Sequence, residues 1–304
     1  MLPVTEQENP RTATIDEAST LDALRLINDE DKLVAEAVER VLPQIAEAVD
    51  RIVERMKAGG RLFYIGTGTS GRLGVLDASE IPPTYGVSYD LVQGIIAGGW
   101  DALYKANETS ENDREAGIRD IKDRGVTAKD AVVGIAASGR TPYTIGAVEH
   151  ARKIGCFTAC IVCTPDSAIE KAAEIAIVPV VGSEAITGST RMKAGTAQKM
   201  VLNMISTVAM IRLGYVRGNR MTNVKPSNEK LRDRSLRILI GETGLVETAA
   251  AELIETAGGD LRVALVMHKG SVDREVAEGL LKRSDYVVEK ALMTLERSAR
   301  FENG

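Results

Sequence analysis

The chain has 304 residues, of which 44% are hydrophobic, and its formal net charge is −5 at pH 7. This length supports one large domain with a buried core and a smaller second domain, while the acidic balance offers no basic surface for nucleic acid. Residues 1–20 lack a basic start and an apolar core, and no run approaches 18 apolar residues, so we expect a cytoplasmic protein without membrane insertion.

Strand and helix patterns alternate along most of the chain. Short apolar runs predict strands at 61–65, 91–96, 131–135, 158–162 and 175–180. Helical patterns lie before and between these runs, at 31–57, 114–124, 143–154 and 191–213. Five buried strands separated by helices predict an α/β fold, namely a three-layer sandwich around a mainly parallel five-stranded sheet.

The strand patterns stop after residue 234. The remaining chain predicts short helices at 245–256, 261–268, 273–283 and 286–297. We therefore predict two domains, an α/β domain with N-terminal helices over 1–234 and a small helical domain over 235–304.

Two segments rich in glycine and hydroxyl residues directly follow predicted strands, GTGTSGRLG at 66–74 and AASGRTPY at 136–143. A strand that ends in such residues and turns into a helix presents backbone N–H groups, hydroxyls and the positive end of the helix dipole at one spot. Ligands of open α/β folds bind at the carboxyl ends of the parallel strands, so both segments predict a single phosphate site there. The candidate binding residues are Gly68, Thr69, Ser70, Ser138, Gly139 and Thr141.

Neither segment fits a nucleotide motif. GTGTSG at 66–71 resembles G-x-G-x-x-G, but the acidic residue at the required spacing, Asp90, opens the next apolar run instead of closing it. No G-x-x-x-x-G-K-[ST] pattern occurs. The pattern therefore favours a phosphorylated small molecule over NAD or ATP, and we expect no cofactor.

The three cysteines, Cys156, Cys160 and Cys163, lie in one short segment. That segment is typical of a buried strand, which would turn Cys160 and Cys163 to opposite faces, so we expect a core role and no metal site. Histidine is nearly absent, with only two in the chain, so proton transfer would fall to carboxylates, Lys or Tyr.

Three glutamates are candidates for acid–base chemistry. Glu80 precedes Pro82 and Pro83, which we expect to end the helix after the first segment and to hold the carboxylate near the site. Glu111 follows the second predicted strand, on the side of the sheet where the ligand would bind. Glu184 opens a loop before a long helix and is also a candidate substrate-binding residue. On position alone, carboxylates such as the first two are more often surface groups or helix caps than catalytic residues, and Glu184 could equally be a loop charge that pairs with Arg191 or Lys193.

Seven segments together resemble the N-acetylmuramic acid 6-phosphate etherase family, which belongs to the sugar isomerase (SIS) fold group. The resemblance covers the whole α/β part and is weaker over the helical tail. It implies cleavage of the D-lactyl ether of N-acetylmuramic acid 6-phosphate during recycling of cell-wall peptidoglycan. The segments are TEQENP (5–10), INDEDK (27–32), GTGTSGRLGVLDASEIPPTYG (66–86), IIAGG (95–99), VVGIAASGRTPY (132–143), EAITGSTRMKAGTAQKMVLNM (184–204) and SNEKL (227–231).

The resemblance also implies roles for particular residues. The two catalytic glutamates of the family fall on Glu80 and Glu111, and the site needs no metal. The family also implies a homodimer in which SNEKL, with Glu229 and Lys230, reaches the ligand of the neighbouring subunit, although a helix cap at Ser227 or Asn228 is an alternative reading of that segment.

Two other functions remain open on the same fold. An aldose–ketose isomerase would also move a C2 proton, with Glu184 as the base. A non-catalytic sugar-phosphate sensor would keep the phosphate site but has no need for Glu80 and Glu111. Neither would release D-lactate.

Overall fold

A computed structural model describes residues 2–105, 109–222, 229–284 and 286–302, with the backbone alone at 109, 229–231 and 296–302. The chain forms two compact units. One consists of Met1–Ser79 and Tyr89–Ala209, and the other consists of Glu80–Ser88 and Met210–Gly304.

The first unit contains a parallel five-stranded sheet in the order β2-β1-β3-β4-β5. The sequence predicted all five strands, but the fifth has three residues where six were expected. Pro179 follows it, and proline cannot donate the next hydrogen bond of the ladder. The strands are β1 (Leu62–Gly66), β2 (Val92–Ile96), β3 (Ala131–Ile135), β4 (Phe157–Ile161) and β5 (Ile175–Ile177).

Helices cover both faces of this sheet. On one face, Phe63 and Ile65 of β1 share a buried cluster with Ile121 of α4 and Ala147 of α5. On the other face, α3 lies so close to β1 that a β-carbon at Gly74 would be 3.0 Å from Cβ of Tyr64. This is the predicted three-layer sandwich. The helices that begin in this unit are α1 (Thr20–Glu39), α2 (Leu42–Lys57), α3 (Gly68–Tyr85), α4 (Arg114–Asp123), α5 (Pro142–Lys153), α6 (Ala168–Ala172) and α7 (Lys193–Arg212).

Two helix predictions were wrong in detail. The single helix predicted over 31–57 is two helices, and Pro43 lies in the first turn of α2, where its missing N–H costs nothing. The helix α3 does not end at the double proline but continues through Pro82 and Pro83 to Tyr85. Its last turn is closed by the Gly86 N–H, which donates to the Pro82 carbonyl at 2.9 Å.

The second unit is mainly helical and has its own core. Leu239, Leu261, Val266, Leu281 and Val288 are buried together in it. The sequence missed a hairpin of two-residue strands, β6 (Val216–Arg217) and β7 (Arg220–Met221), because strands this short show no alternation. The helices are α8 (Glu229–Thr243), α9 (Glu247–Thr256), α10 (Leu261–Gly270), α11 (Arg274–Arg283) and α12 (Val288–Glu302).

The domain boundary predicted at residue 234 falls inside α8, whereas the described division passes between Ala209 and Met210. Across the described ranges, none of the helices combines the length and the apolar character that a membrane span needs.

The N-terminal segment is anchored to the start of α7 by buried charges. Glu30 of α1 accepts hydrogen bonds from the exposed Arg11 at 2.5 Å and from Nζ of Lys193 at 2.5 Å, and Glu30 and Lys193 are only 2% and 1% exposed. The hydrogen bond from Arg11, followed by that from Lys193, lowers the pKa of Glu30 to about 2 against the opposing effect of burial. Glu30 therefore stays charged and fixes α1 to α7.

Replacing Glu30 with Gln should destabilise the fold by about 3 kcal/mol near neutral pH, because the buried Lys193 ammonium would lose its partner. The pKa of Glu30 is depressed from 4.5 to about 2, so its stabilisation is complete above about pH 4.5 and is lost as the pH falls towards 2. Urea unfolding of both proteins between pH 2 and 6 should show the difference shrinking in acid. Glu36→Gln, at an exposed position of the same helix, is the control. A difference that does not change with pH would contradict the assignment.

Candidate functional site

The two glycine- and hydroxyl-rich segments meet at the carboxyl ends of neighbouring strands. Gly66 at the end of β1 pairs with Ile135 at the end of β3. The next strand in the chain, β2, lies on the opposite side of β1, so the strand order reverses between β1 and β3. In open α/β sheets this switch point is where ligands bind. The fold therefore brings the two segments together, as the sequence predicted.

Two glycines allow the first turn of α3 to lie directly against β1. A β-carbon at Gly71 would be 2.6 Å from the carbonyl oxygen of Gly66, and one at Gly66 would be 2.8 Å from the carbonyl oxygen of Ile135. Real β-carbons do not approach backbone atoms this closely. The glycine pattern is therefore a packing requirement that aims the N-terminus of α3 at the end of β3.

A pocket of about 380 Å³ opens at this point. Two helix N-termini border it. One is that of α3, which begins at Gly68, and the other is that of α5, which begins at Pro142. Unpaired N–H groups and the helix dipole make a helix N-terminus a favourable place for an anion, and here two of them serve one pocket. Its lining residues are Glu6, Thr67, Gly68, Thr69, Ser70, Arg72, Glu111, Ala136, Ala137, Ser138, Thr141 and Thr190.

Five of the six residues predicted to bind phosphate line this pocket, and Gly139 does not. Gly139 instead shapes the second segment. Its φ is +65°, and a β-carbon there would be 2.4 Å from Oγ of Ser167. Only glycine fits this turn, which carries Ser138 and Thr141 to the pocket.

Glu111 is the one candidate acid–base residue that lines the pocket. It is half-buried, and its Oε1 lies 3.4 Å from the position of a β-carbon on Gly68. A carboxylate therefore lies beside the start of α3 in this pocket.

Glu80 and Glu184 are not among the residues that line the pocket. Glu80 is exposed, belongs to the second unit and is twelve residues, more than three helical turns, beyond Gly68 in α3. Glu184 is fully buried, and its two oxygens accept the backbone N–H groups of Lys193 and Ala194 at 2.8 and 2.9 Å. It caps α7, an arrangement that favours a structural role over a catalytic base. The side chains of Glu229 and Lys230 are outside the described residues.

Six lining residues were not singled out from the sequence: Glu6, Thr67, Arg72, Ala136, Ala137 and Thr190. Glu6 and Thr190 lie far along the chain from the two glycine- and hydroxyl-rich segments, and the other four lie within them. Arg72 donates through Nε to the Leu103 carbonyl at 3.0 Å, which ties α3 to the loop after β2. Glu6 belongs to TEQENP, so its segment was noted, but nothing in the local pattern indicates that it folds over the sheet.

The three cysteines are buried and free, as predicted. Burial raises the pKa of Cys156 to about 11 and that of Cys160 and Cys163 to about 12, so the thiols stay protonated and unreactive. Within the described residues, no group of three or more His, Cys, Asp or Glu side chains is arranged to hold a metal ion.

A larger cavity, of about 520 Å³, lies beside β2 and α4 and includes Trp100, Asp113, Asp120 and Arg124. Three aspartates line it, and so does Tyr143 of the second segment, but none of the residues predicted to bind phosphate does. By volume alone, this cavity would be the better candidate for a ligand site. The hydroxyl and N–H donors that a phosphate needs, however, lie at the smaller pocket.

Known proteins resemble this chain in sequence and in fold. The chain is 59% identical over 263 residues to N-acetylmuramic acid 6-phosphate etherase of Symbiobacterium thermophilum, covering 86% of this chain and 87% of the relative. It is 51% identical over 294 residues to the protein of the same name from Clostridioides difficile strain 630, covering 97% of each.

The model of the glucokinase regulatory protein N-terminal SIS domain matches residues 44–152. A solved structure of a proposed phosphosugar isomerase involved in capsule formation, from Bacteroides fragilis NCTC 9343, superposes with a TM-score of 0.50 at 17% identity. That superposition covers 66% of this chain and 95% of the other, and it supports the fold alone. From the sequence identity to its curated relatives, the chain belongs to the N-acetylmuramic acid 6-phosphate etherase family.

Proposed function

We propose that the chain cleaves the D-lactyl ether of N-acetylmuramic acid 6-phosphate and yields N-acetylglucosamine 6-phosphate and D-lactate, in the cytoplasmic recycling of cell-wall fragments. The observation that carries this proposal is a phosphate-type pocket with a carboxylate at its mouth. Two helix N-termini and the hydroxyls of Thr69, Ser70, Ser138 and Thr141 surround it, and Glu111 faces it. The names of the curated relatives supply the substrate.

Phosphate binding fixes the sugar relative to Glu111. A phosphate accepts hydrogen bonds and donates few, so hydroxyl donors and free N–H groups suit it, and the basic Arg72 also lines the pocket. With the 6-phosphate held at the start of α3, the rest of the sugar extends towards the mouth of the pocket. The binding free energy of a part of the substrate that does not react thus serves to orient the part that does.

The chemistry needs one base and one acid. In the open-chain sugar, the C2 proton is acidic because C2 is next to the C1 aldehyde. A base removes this proton, the electron pair forms the C2=C3 double bond, and the C3–O bond to the lactyl group breaks. An acid protonates the departing oxygen and releases D-lactate. Water then adds across the double bond, with its proton going to C2 and its hydroxyl to C3.

We assign Glu80 as the acid that protonates the lactate oxygen and Glu111 as its partner in proton transfer and water addition. We propose a homodimer in which the SNEKL segment, including Glu229 and Lys230, reaches the site of the neighbouring subunit. Each site then combines Glu80 and Glu111 of one chain with Glu229 of the other, so that Glu80 and Glu229 of the same chain act at different sites. Glu111 lines the pocket, which supports its place in this site.

Glu111→Gln and Glu80→Gln should each reduce D-lactate release by roughly 100- to 10,000-fold, because that is the usual loss when a general acid or base is removed. Both variants should still bind N-acetylglucosamine 6-phosphate. Enzymatic measurement of D-lactate separates this activity from an isomerase or a sensor, neither of which would release it. Glu115→Gln, at an exposed position of α4, should retain activity. Release at the normal rate by Glu80→Gln would remove Glu80 from the mechanism.

Ser138→Ala should weaken binding of N-acetylglucosamine 6-phosphate by about five-fold, which corresponds to the loss of about 1 kcal/mol from one hydroxyl donor. Binding of unphosphorylated N-acetylglucosamine, measured by the same calorimetric titration, should change little. Thr256→Ala, at an exposed position of the second unit, is the control. If the phosphorylated and unphosphorylated sugars bound the wild type equally well, the pocket would not be a phosphate site.

Mixing two inactive proteins, Glu80→Gln and Glu229→Ala, should restore part of the activity after they are unfolded and refolded together. If each site takes Glu80 from one subunit and Glu229 from the other, a mixed dimer contains one intact site. Each variant refolded alone is the control. Light scattering that gives a monomer at micromolar concentration would contradict this arrangement, and so would full activity of Glu229→Ala.

A further inference from the structure

Ser70 of the phosphate pocket has a buried polar partner behind it. Its Oγ donates a hydrogen bond to Oε1 of Gln198 at 2.9 Å. Gln198 lies in α7 and is 1% exposed, and Ser70 is 8% exposed. The side-chain Nε2 of Gln198 is buried and has no hydrogen-bond partner among the described residues. A buried amide donor without a partner costs free energy, so this arrangement asks for an explanation.

The proton of Ser70 decides whether this residue can bind a phosphate. A serine hydroxyl has one proton to donate and two lone pairs that accept. When the hydroxyl proton of Ser70 points at Gln198, Oγ of Ser70 presents only lone pairs to the pocket. These lone pairs would face the lone pairs of the phosphate oxygens. In this state Ser70 cannot donate to the ligand.

Rotating the Gln198 amide by half a turn gives Nε2 a partner and frees the serine proton, and it leaves Oε1 in the place without a partner, which buried acceptors occupy more often than buried donors. Nε2 then takes the place of Oε1 and donates to Oγ of Ser70, so the buried N–H gains a partner. The hydroxyl proton of Ser70 is displaced towards the pocket, where a phosphate oxygen can accept it. The two orientations have nearly the same shape, so the exchange needs no movement of the backbone.

We propose that Gln198 is a positioning residue for phosphate, and that its amide sets the direction in which the Ser70 hydroxyl donates. Without ligand the amide accepts the serine proton, and when phosphate binds the amide turns over and donates. This inference rests on the proposed phosphate site and adds to it a residue that does not touch the ligand.

The surroundings of Gln198 hold α7 in place for this role. A β-carbon at Gly195, one turn earlier in the helix, would be 3.4 Å from Cγ2 of Thr69, so α7 packs directly behind the pocket. The first turn of α7 is capped by the buried carboxylate of Glu184, and Lys193 is paired with Glu30. The backbone of α7 is therefore held in place, and only the side-chain amide of Gln198 has to rotate.

Two substitutions separate the donor from the acceptor. Gln198→Met keeps the size of the side chain but removes both functions, and it should weaken binding of N-acetylglucosamine 6-phosphate by about three- to ten-fold. Gln198→Glu can only accept when ionised, so it would hold the serine proton and should weaken binding further. In both variants the loss should appear in KM for the muramic substrate, with kcat nearly unchanged.

A double-mutant cycle tests whether Gln198 acts through Ser70. In a Ser70→Ala background, Gln198→Met should cause no further loss of affinity for the phosphorylated sugar. The control is Ser206→Ala, which removes a buried hydroxyl of the same helix that donates to Asp77 and not to the pocket. Its affinity for the sugar phosphate should match that of the wild type. An equal loss from Gln198→Met with and without Ser70 would overturn the proposal.

A second measurement needs no variant of Gln198. In protein labelled with ¹⁵N on glutamine side chains, addition of inorganic phosphate should shift one buried amide pair, and this shift should disappear in Ser70→Ala. An unchanged glutamine spectrum at saturating phosphate would overturn the inference. If phosphate itself does not bind and Ser138→Ala has no effect, the phosphate site fails. If phosphate binds and the glutamine signals stay fixed, only the role of Gln198 fails.

Discussion

The contact between α3 and β1 is the constraint on which the site depends. Gly66 and Gly71 let helix and strand approach so closely that a side chain at either position would collide with backbone atoms. That approach brings the first turn of α3 to the point where the strand order reverses, beside the end of β3. The N–H groups of the first turn then have no partner within the helix and face the pocket. In the proposed function, phosphate recognition would thus follow from backbone packing, and the hydroxyls would fix the direction of the hydrogen bonds.

Buried charges hold the start of α7, close in the chain to Thr190, which lines the pocket. Glu184 caps α7, and Lys193 and Arg11 converge on Glu30. Removing one member of such a group leaves an uncompensated charge, so these residues specify one arrangement more than they add net stability. The same set ties the N-terminal segment down, which brings Glu6 to the pocket. The residues that stabilise this part of the fold therefore also help to set the geometry of the site.

The two candidate catalytic glutamates differ in their surroundings. Glu111 is half-buried at the mouth of the pocket, and Glu80 is exposed on α3. An exposed carboxylate is an unusual place for a general acid, since nothing there excludes water. The proposed homodimer would answer this difficulty, because a neighbouring subunit could cover the carboxylate that one chain leaves exposed. Glu184, a plausible base for an isomerase from its position in the sequence, is already engaged as a cap, which favours the etherase chemistry.

The sequence by itself determined the class of fold, the five strands and the two glycine- and hydroxyl-rich segments, because apolar periodicity and glycine–hydroxyl turns are local patterns. It also determined the family, through long segments in a constant order. Tertiary structure alone decided which residues meet. Glu6, Thr190 and Gln198 are far from Ser70 in the chain, and no local pattern encodes their approach. It also decided that α3 continues through Pro82 and Pro83, since local preference predicted its end there. Long-range packing supplies contacts that outweigh such local preferences. These contacts join residues far apart in the chain, so local sequence patterns do not predict them.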